Sequence, residues 1–164
     1  MSSETGVSGE LFQALQIAKE AERKAEASYV DAAARAGNSL GRTIFERLAE
    51  FERHHYQKLV ALEESLREKG TFIEYEPREW SVSPPGEVKG LEEPNRMSLL
   101  EIIKAAMEFE WDAEKRYVAL AKEVDDPAGK AMFERLAEEE RQHYRILDEA
   151  FWSLNHRGVW AWPQ

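Results

Sequence analysis

Two identical pairs of metal-binding residue types recur 88 positions apart in the chain. Glu52 and His55 form a Glu-x-x-His sequence, and Glu140 and His143 repeat it. Residues three apart on a helix lie on one face about one turn apart, so each pair can point at a single bound ion. Two such pairs on facing helices would surround a metal site.

A further glutamate stands 30 residues before each pair, Glu22 in the first half and Glu110 in the second. Carboxylate oxygens and imidazole nitrogens suit divalent cations, and four carboxylates would neutralise the charge of two such ions. We predict that Glu52 and Glu140 bridge the two ions. Glu22 and Glu110 would then be terminal ligands, and each histidine would bind one ion. Because these ligands must be deprotonated, metal affinity should fall below about pH 6.

The alternative is that these glutamates and histidines are solvated, because charged residues fill most exposed helix positions. The apolar pattern argues against it. Leu48 and Leu136 belong to apolar stripes, and Glu52 and Glu140 fall beside those stripes at helical spacing. A buried carboxylate without a counter-charge is costly. The spacing therefore favours a metal site over a solvated surface.

Two tyrosines share the repeat, since Tyr29 and Tyr117 follow Glu22 and Glu110 by seven residues. Seven residues are two helical turns, so each tyrosine lies on the face of its glutamate. Its ring could serve packing alone. Its hydroxyl could instead act in catalysis, by hydrogen-bonding a ligating carboxylate or as a nearby redox-active group.

The first half of the chain is predicted to form a helical hairpin. Gly37 and Gly70 stand where the residue after a helix is usually a left-handed glycine, and Ser39 can begin the second helix. The predicted helices cover residues 9–36 and 39–69. At ~1.5 Å per residue, helices of this length need partners along their whole length, which favours a bundle.

The second half of the chain is predicted to form a matching hairpin. Ser98-Leu99-Leu100-Glu101 reads as a capping box, and Asp126 precedes Pro127 as an N-cap precedes a first helical proline. The predicted helices cover residues 98–124 and 127–154. The hairpins, about 9–69 and 98–154, would therefore be internal duplicates.

A long segment, residues 70–97, separates the hairpins and contains four prolines. Two hairpins with short turns and one long connection are typical of a ferritin-like bundle, in which the connection runs the length of the helices. We therefore predict an all-α, ferritin-like four-helix bundle that forms one domain over residues 1–164. The tail, residues 155–164, carries Trp160 and Trp162. These rings would fold back on the bundle or form a dimer contact.

Composition narrows the partners and the ligand types. The formal net charge of −10 disfavours nucleic acid and anionic membrane surfaces as partners. Residues Met1 to Glu10 contain no basic region followed by an apolar run, and nowhere do about 18 apolar residues follow one another. We therefore expect a cytoplasmic protein without a membrane partner. The chain has no cysteine, so any metal must be bound by oxygen and nitrogen.

In these motifs the chain resembles the rubrerythrin branch of the ferritin-like superfamily. That branch is marked by a glutamate, a tyrosine seven residues later and Glu-x-x-His, all of which occur twice here. The resemblance implies a non-haem di-iron centre and reductive scavenging of hydrogen peroxide, although some members use dioxygen or oxidise ferrous iron. Typical members carry a rubredoxin-like domain with four cysteines, so this chain would need an external electron donor. The implied iron ligands are Glu22, Glu52, His55, Glu110, Glu140 and His143.

One feature of peroxidase members is absent at the matching position. Those members tend to have an extra glutamate one turn after the ligand of the third helix, whereas here the residue three after Glu110 is Ala113. Glu114 or Glu26 would have to serve instead. The ligand types also accept manganese or zinc. If the chain is a peroxidase, we expect it to be a homodimer. The alternatives are a ferroxidase that handles iron with dioxygen and a non-catalytic metal-binding bundle.

Overall fold

The structure is a computed structural model that describes residues 8–80 and 91–163. Within those ranges the chain forms four α-helices and no strand. They are α1 (Gly9–Arg35), α2 (Ser39–Lys69), α3 (Arg96–Glu123) and α4 (Pro127–Arg157). The all-α four-helix prediction is confirmed. Pro84 and Pro85 of the predicted connection, Met1 to Val7 and Gln164 lie outside the described residues.

The α1–α2 turn confirms one prediction and corrects another. α2 begins at Ser39 as predicted, and Asn38 before it is the N-cap, whose side chain accepts hydrogen bonds from the backbone N–H groups of Leu40 and Gly41. Gly37 is not left-handed, because the residues with positive φ in the described ranges are Gly70 and Gly158. Glycine is needed at position 37 for close approach instead, since a Cβ there would overlap the Pro94 ring.

The ends of α3 and α4 were predicted with mixed success. Ser98 does not begin a capping box, because α3 already begins at Arg96 and Asn95, before it, makes no side-chain capping bond. The Asp126 cap is confirmed, as its side chain accepts from the Gly129 N–H. α4 continues three residues beyond position 154 to the left-handed Gly158, at φ 72°.

The helix directions follow from contacts between the two hairpins. On α1 and α3, Tyr29 pairs with Glu110 and Tyr117 with Glu22, which requires antiparallel helices. The α2 and α4 site residues pair in the same crossed way. Since consecutive helices in each hairpin are also antiparallel, α2 and α3 run in the same direction. The chain between them must therefore travel the length of the bundle, as the ferritin-like prediction requires.

Two apolar clusters fill the bundle and leave a polar layer between them. Along each helix one cluster ends just before the predicted ligand and the other begins just after it. In α1, Ala18 and Ala25 flank Glu22, and in α4, Ala137 precedes Glu140. The charged residues are therefore at mid-height, shielded from water at both ends.

The C-terminal tail folds back on the bundle, which decides between the two sequence-based alternatives. The Trp160 ring is buried against Phe45, with ring centroids 5.7 Å apart, and a Cβ on Gly41 would overlap it. Its indole N–H donates to Glu93, and its backbone N–H donates to the Leu91 carbonyl. The tail thus fastens the end of the connection to α2.

None of the described helices is long and apolar enough to span a membrane.

Candidate metal centre

All six predicted ligands are buried and converge in the polar layer. They form two overlapping groups in which one candidate ligand atom from each residue lies within 4.8 Å of the others. Glu52 and Glu140 belong to both groups, as the bridging prediction requires. The groups are Glu22, Glu52, His55 and Glu140, and Glu52, Glu110, Glu140 and His143.

Each histidine lies closest to the shared glutamate of the opposite hairpin. His55 Nδ1 is 2.7 Å from Glu140 Oε1, and His143 Nδ1 is 3.0 Å from Glu52 Oε1. The terminal glutamates are farther away. Glu22 Oε1 lies 3.5 Å from His55 Nδ1, and Glu110 Oε1 lies 3.6 Å from His143 Nδ1. The imidazole rings are nearly parallel, with centroids 6.0 Å apart. The sequence repeat has thus become a two-fold arrangement of side chains.

Both repeat tyrosines hydrogen-bond a glutamate of the centre. The Tyr29 hydroxyl donates to Glu110 Oε1 at 2.5 Å, and the Tyr117 hydroxyl donates to Glu22 Oε1 at 2.5 Å. Each bond crosses from one hairpin to the other, so each tyrosine contacts the terminal glutamate of the opposite hairpin. Of the two roles left open, packing alone is therefore insufficient, because both hydroxyls orient a carboxylate.

The acidic layer carries more negative charge than the polypeptide neutralises. Among the described residues, no lysine or arginine forms an ion pair with the four glutamates of the centre. Burial and the charge of Glu110 raise the pKa of Glu52 and Glu140 well above the ordinary value. Burial alone would lower the pKa of His55, but the nearby Glu22 and Glu140 raise it well above 6.5. Protons thus serve as the counter-charge.

Buried acceptor atoms without partners test whether metal ions suit this layer. Glu22 Oε2, Glu110 Oε2 and both Glu140 oxygens are buried and accept no hydrogen bond within the described ranges. A buried polar atom without a partner is costly, and a bound cation would remove that cost. Hard carboxylate oxygens with imidazole nitrogen also form the donor set that iron, manganese or zinc accepts. The residues therefore fit a pair of divalent ions.

A cavity of about 240 Å³ connects the centre with the surface between α1 and α3. Its buried end is formed by the four glutamates of the centre, and small side chains such as Ala21, Ala25 and Ala113 border it. A water molecule occupies about 30 Å³ of liquid. The cavity can therefore admit hydrogen peroxide, dioxygen or a hydrated cation.

Neither candidate for the extra ligand reaches the centre. Glu26 pairs with Arg53 at 2.9 Å, and Glu114 pairs with Arg141 at 2.8 Å. Both are absent from the two ligand groups. Ala113, at the position of the family's extra glutamate, contributes to the cavity wall instead.

Sequence reasoning missed Glu139, which is fully buried behind His55. Its Oε2 lies 2.9 Å from His55 Nε2 and accepts from the Tyr75 hydroxyl at 2.5 Å. Glu139 is one of three consecutive acidic residues on a charged helix, so its local sequence does not mark it as buried. The available signal was a break in the repeat, because the residue 88 positions earlier is Phe51.

The fold and the site together define a ferritin-like four-helix bundle with a buried carboxylate–histidine centre. Comparison with protein families gives a match to the family described as Rubrerythrin over residues 101–159. The match covers most of the second hairpin, and this part of the chain is similar to rubrerythrins. No curated protein and no solved structure matches the chain.

Proposed function

We propose that this chain is a non-haem di-iron oxidoreductase that reduces hydrogen peroxide with electrons from an external donor. The observation that carries the proposal is the pair of buried ligand groups sharing Glu52 and Glu140. These two carboxylates would bridge the ions. The terminal ligands would be Glu22 with His55 on one ion and Glu110 with His143 on the other.

Iron, when bound, would supply the two electrons that cleave the O–O bond, so that peroxide and two protons yield two water molecules. The protein contributes orientation and exclusion of water. Tyr29 and Tyr117 fix the terminal carboxylates through hydrogen bonds that cross the bundle. The apolar clusters above and below exclude solvent and leave the cavity between α1 and α3 as the route for the oxidant.

Protons for the reaction would arrive through the same cavity. Glu20 and Asp112 line it and are exposed, so solvent reaches its outer end. Burial and neighbouring carboxylates raise the pKa of Glu52 and Glu140, so both carboxyl groups release their protons when cations bind.

The first test is the metal content of the natively purified protein, followed by anaerobic reduction and rapid mixing with hydrogen peroxide or dioxygen. We expect two irons per chain and faster oxidation by peroxide. Glu52→Ala and Glu140→Ala should lose two-metal binding, whereas the exposed Glu46→Ala should retain it as a matched control. Two tightly bound metals and full turnover in the bridging variants would contradict the assignment.

The acidic side chains of the cavity also favour a second candidate, a ferroxidase. Lys24 and Arg116 offset the charge of Glu20 and Asp112 in the cavity lining, so the attraction for ferrous iron would come from the four glutamates at the buried end. This function predicts faster oxidation by dioxygen, many iron ions per chain and a large assembly. A peroxidase predicts two irons and the homodimer that we propose, so stoichiometry and light scattering separate the two functions. A protein that binds only zinc, or no metal, would have neither activity.

A further inference from the structure

The two halves of the centre are matched in their ligands but differ behind their histidines. The duplicated positions, 88 residues apart, hold Phe51 in the first half and Glu139 in the second. Each of these residues contacts the histidine of the opposite hairpin. His55 and His143 therefore have different surroundings on the side away from the centre, although the glutamates of the centre are arranged equivalently around them.

His55 is fixed by a chain of hydrogen bonds on the side away from the other ligands. Its Nε2 donates to Glu139 Oε2 at 2.9 Å, and the Tyr75 hydroxyl donates to the same oxygen. The backbone N–H of Arg78 donates to the other oxygen at 3.2 Å. Tyr75 and Arg78 belong to the connection after α2, so that segment holds Glu139 in place.

Among the described residues, His143 has no equivalent partner. The Phe51 ring meets it edge-on with centroids 4.9 Å apart, and Trp80 packs behind Phe51 at 5.9 Å. His143 Nε2 is buried and has no hydrogen-bond partner in the part of the chain that the structure describes. On its Nε2 side, this ring is therefore held by packing and not by a hydrogen bond from the described residues.

A carboxylate on the far nitrogen of a histidine ligand has two effects on metal binding. It keeps the proton on Nε2, which leaves the Nδ1 lone pair free for the ion, and it makes the imidazole a stronger donor. Loss of such a partner typically reduces metal affinity by about 10–100-fold. None of the described residues gives His143 this advantage.

We propose that the two metal positions are unequal, and that the position formed with His55 binds more tightly and fills first. Glu139 is the positioning residue responsible for the difference. This inference rests on the proposed metal centre, but it concerns the order and strength of binding and not the reaction.

The test is titration of the full-length metal-free protein with Co²⁺, followed by visible absorption and calorimetry. We expect two binding steps whose affinities differ by about 10–100-fold. His55→Ala should remove the tighter step, and His143→Ala should remove the weaker one. Equal steps, or loss of the tighter step in His143→Ala, would overturn the inference while two-metal binding still supported the proposed function.

Substitution of Glu139 isolates the cause. Glu139→Phe copies the other half, so it should weaken the first step by about 10–100-fold and leave the second unchanged. Glu139→Gln keeps a neutral acceptor for His55, so its affinity in the first step should lie between those of the wild-type protein and Glu139→Phe. The half-buried neighbour Glu138, which pairs with Arg141, gives the control, because Glu138→Gln should change neither step.

Folding and binding are checked separately. Circular dichroism and thermal unfolding of the metal-free variants would establish that each is helical, and the retained second step would show an intact centre. An unchanged first step in a folded Glu139→Phe variant would overturn the role of Glu139. Failure of the wild-type protein to bind Co²⁺ would overturn the proposed function, and with it this inference.

Discussion

The four glutamates of the centre obtain their chemistry from burial and from one another. Burial would raise the pKa of Glu22, yet hydrogen bonding with Glu52 and the charge of His55 lower it to about 2. The pKa of Glu52 and Glu140 moves the opposite way, because burial and neighbouring negative charges both favour the protonated form. The metal-free centre therefore stores protons that a cation must displace.

Metal binding should release protons and weaken as pH falls. Burial lowers the pKa of His143, but the charge of Glu110 outweighs it, so both histidine pKa values lie above 6.5. Protons then compete with metal at higher pH than the value of about 6 expected from ordinary histidines. As the pH falls, we therefore expect metal affinity to begin to decline above pH 6.5. Calorimetry in buffers of different ionisation enthalpy would count the released protons, and a pH-independent affinity would contradict this prediction.

The tyrosine hydroxyls provide a matched pair of tests. Tyr117→Phe should weaken the ion bound with Glu22, and Tyr29→Phe should weaken the ion bound with Glu110, each by about tenfold or more, because the hydroxyl orients the carboxylate. Tyr56→Phe, which removes a hydroxyl outside the centre, should change neither. Stepwise titration distinguishes the two ions. Equal weakening of both steps by one substitution would contradict the assignment of each hydroxyl to one ion.

The helices contribute by their pairing and by the gap that they leave. α1 and α3 lie side by side with alanines at positions 21, 25 and 113, and the cavity opens between them. α2 and α4 are covered on their outer side by the connection, through Tyr75, Arg78 and Trp80. The oxidant is therefore expected from the α1–α3 side, and the opposite side supports the histidines.

Narrowing that gap should slow the oxidant without removing the ions. Ala113→Leu adds bulk at the cavity wall, and we expect oxidation by peroxide to slow by about tenfold, or about 1.4 kcal/mol in the barrier. Metal stoichiometry should be unchanged. Ala105→Leu, at an exposed position of the same helix outside this cavity, is the control. Rapid mixing measures both, and an unchanged rate in Ala113→Leu would place the entry route elsewhere.

The whole fold is secured at one end by the returning tail. Glu93 is buried and accepts hydrogen bonds from Trp160 Nε1 and from the backbone N–H groups of Gly37, Asn38 and Asn95. One carboxylate therefore joins the α1–α2 turn, the start of α3 and the tail. Trp160 completes the apolar cluster at this end.

Removing this ring should reduce stability but not metal affinity. Trp160→Ala leaves a cavity beside Gly41 and Phe45, and we expect a loss of about 3–5 kcal/mol in the free energy of unfolding. Trp152→Ala, at a 53% exposed position, should cost only about 0.5 kcal/mol. Denaturant unfolding measures both. A loss below about 1 kcal/mol in Trp160→Ala would mean that the tail does not stabilise the bundle.

The sequence by itself determined the four helices and the six residues of the centre. Helical periodicity and the 88-residue repeat are both readable along the chain, so Glu-x-x-His and its partner glutamate could be placed on one face of each helix. The long connection with short turns then allowed the ferritin-like arrangement to be predicted.

Only the tertiary structure decided which residues support that centre. Glu139 and His55 are 84 positions apart, and no local periodicity relates them. The same holds for the hydroxyl of Tyr29, which reaches Glu110 across the bundle, and for Gly37, whose small size is required by the ring of Pro94. Local pattern specifies which face of a helix is buried, but the partner met by that face depends on how the two hairpins pack together.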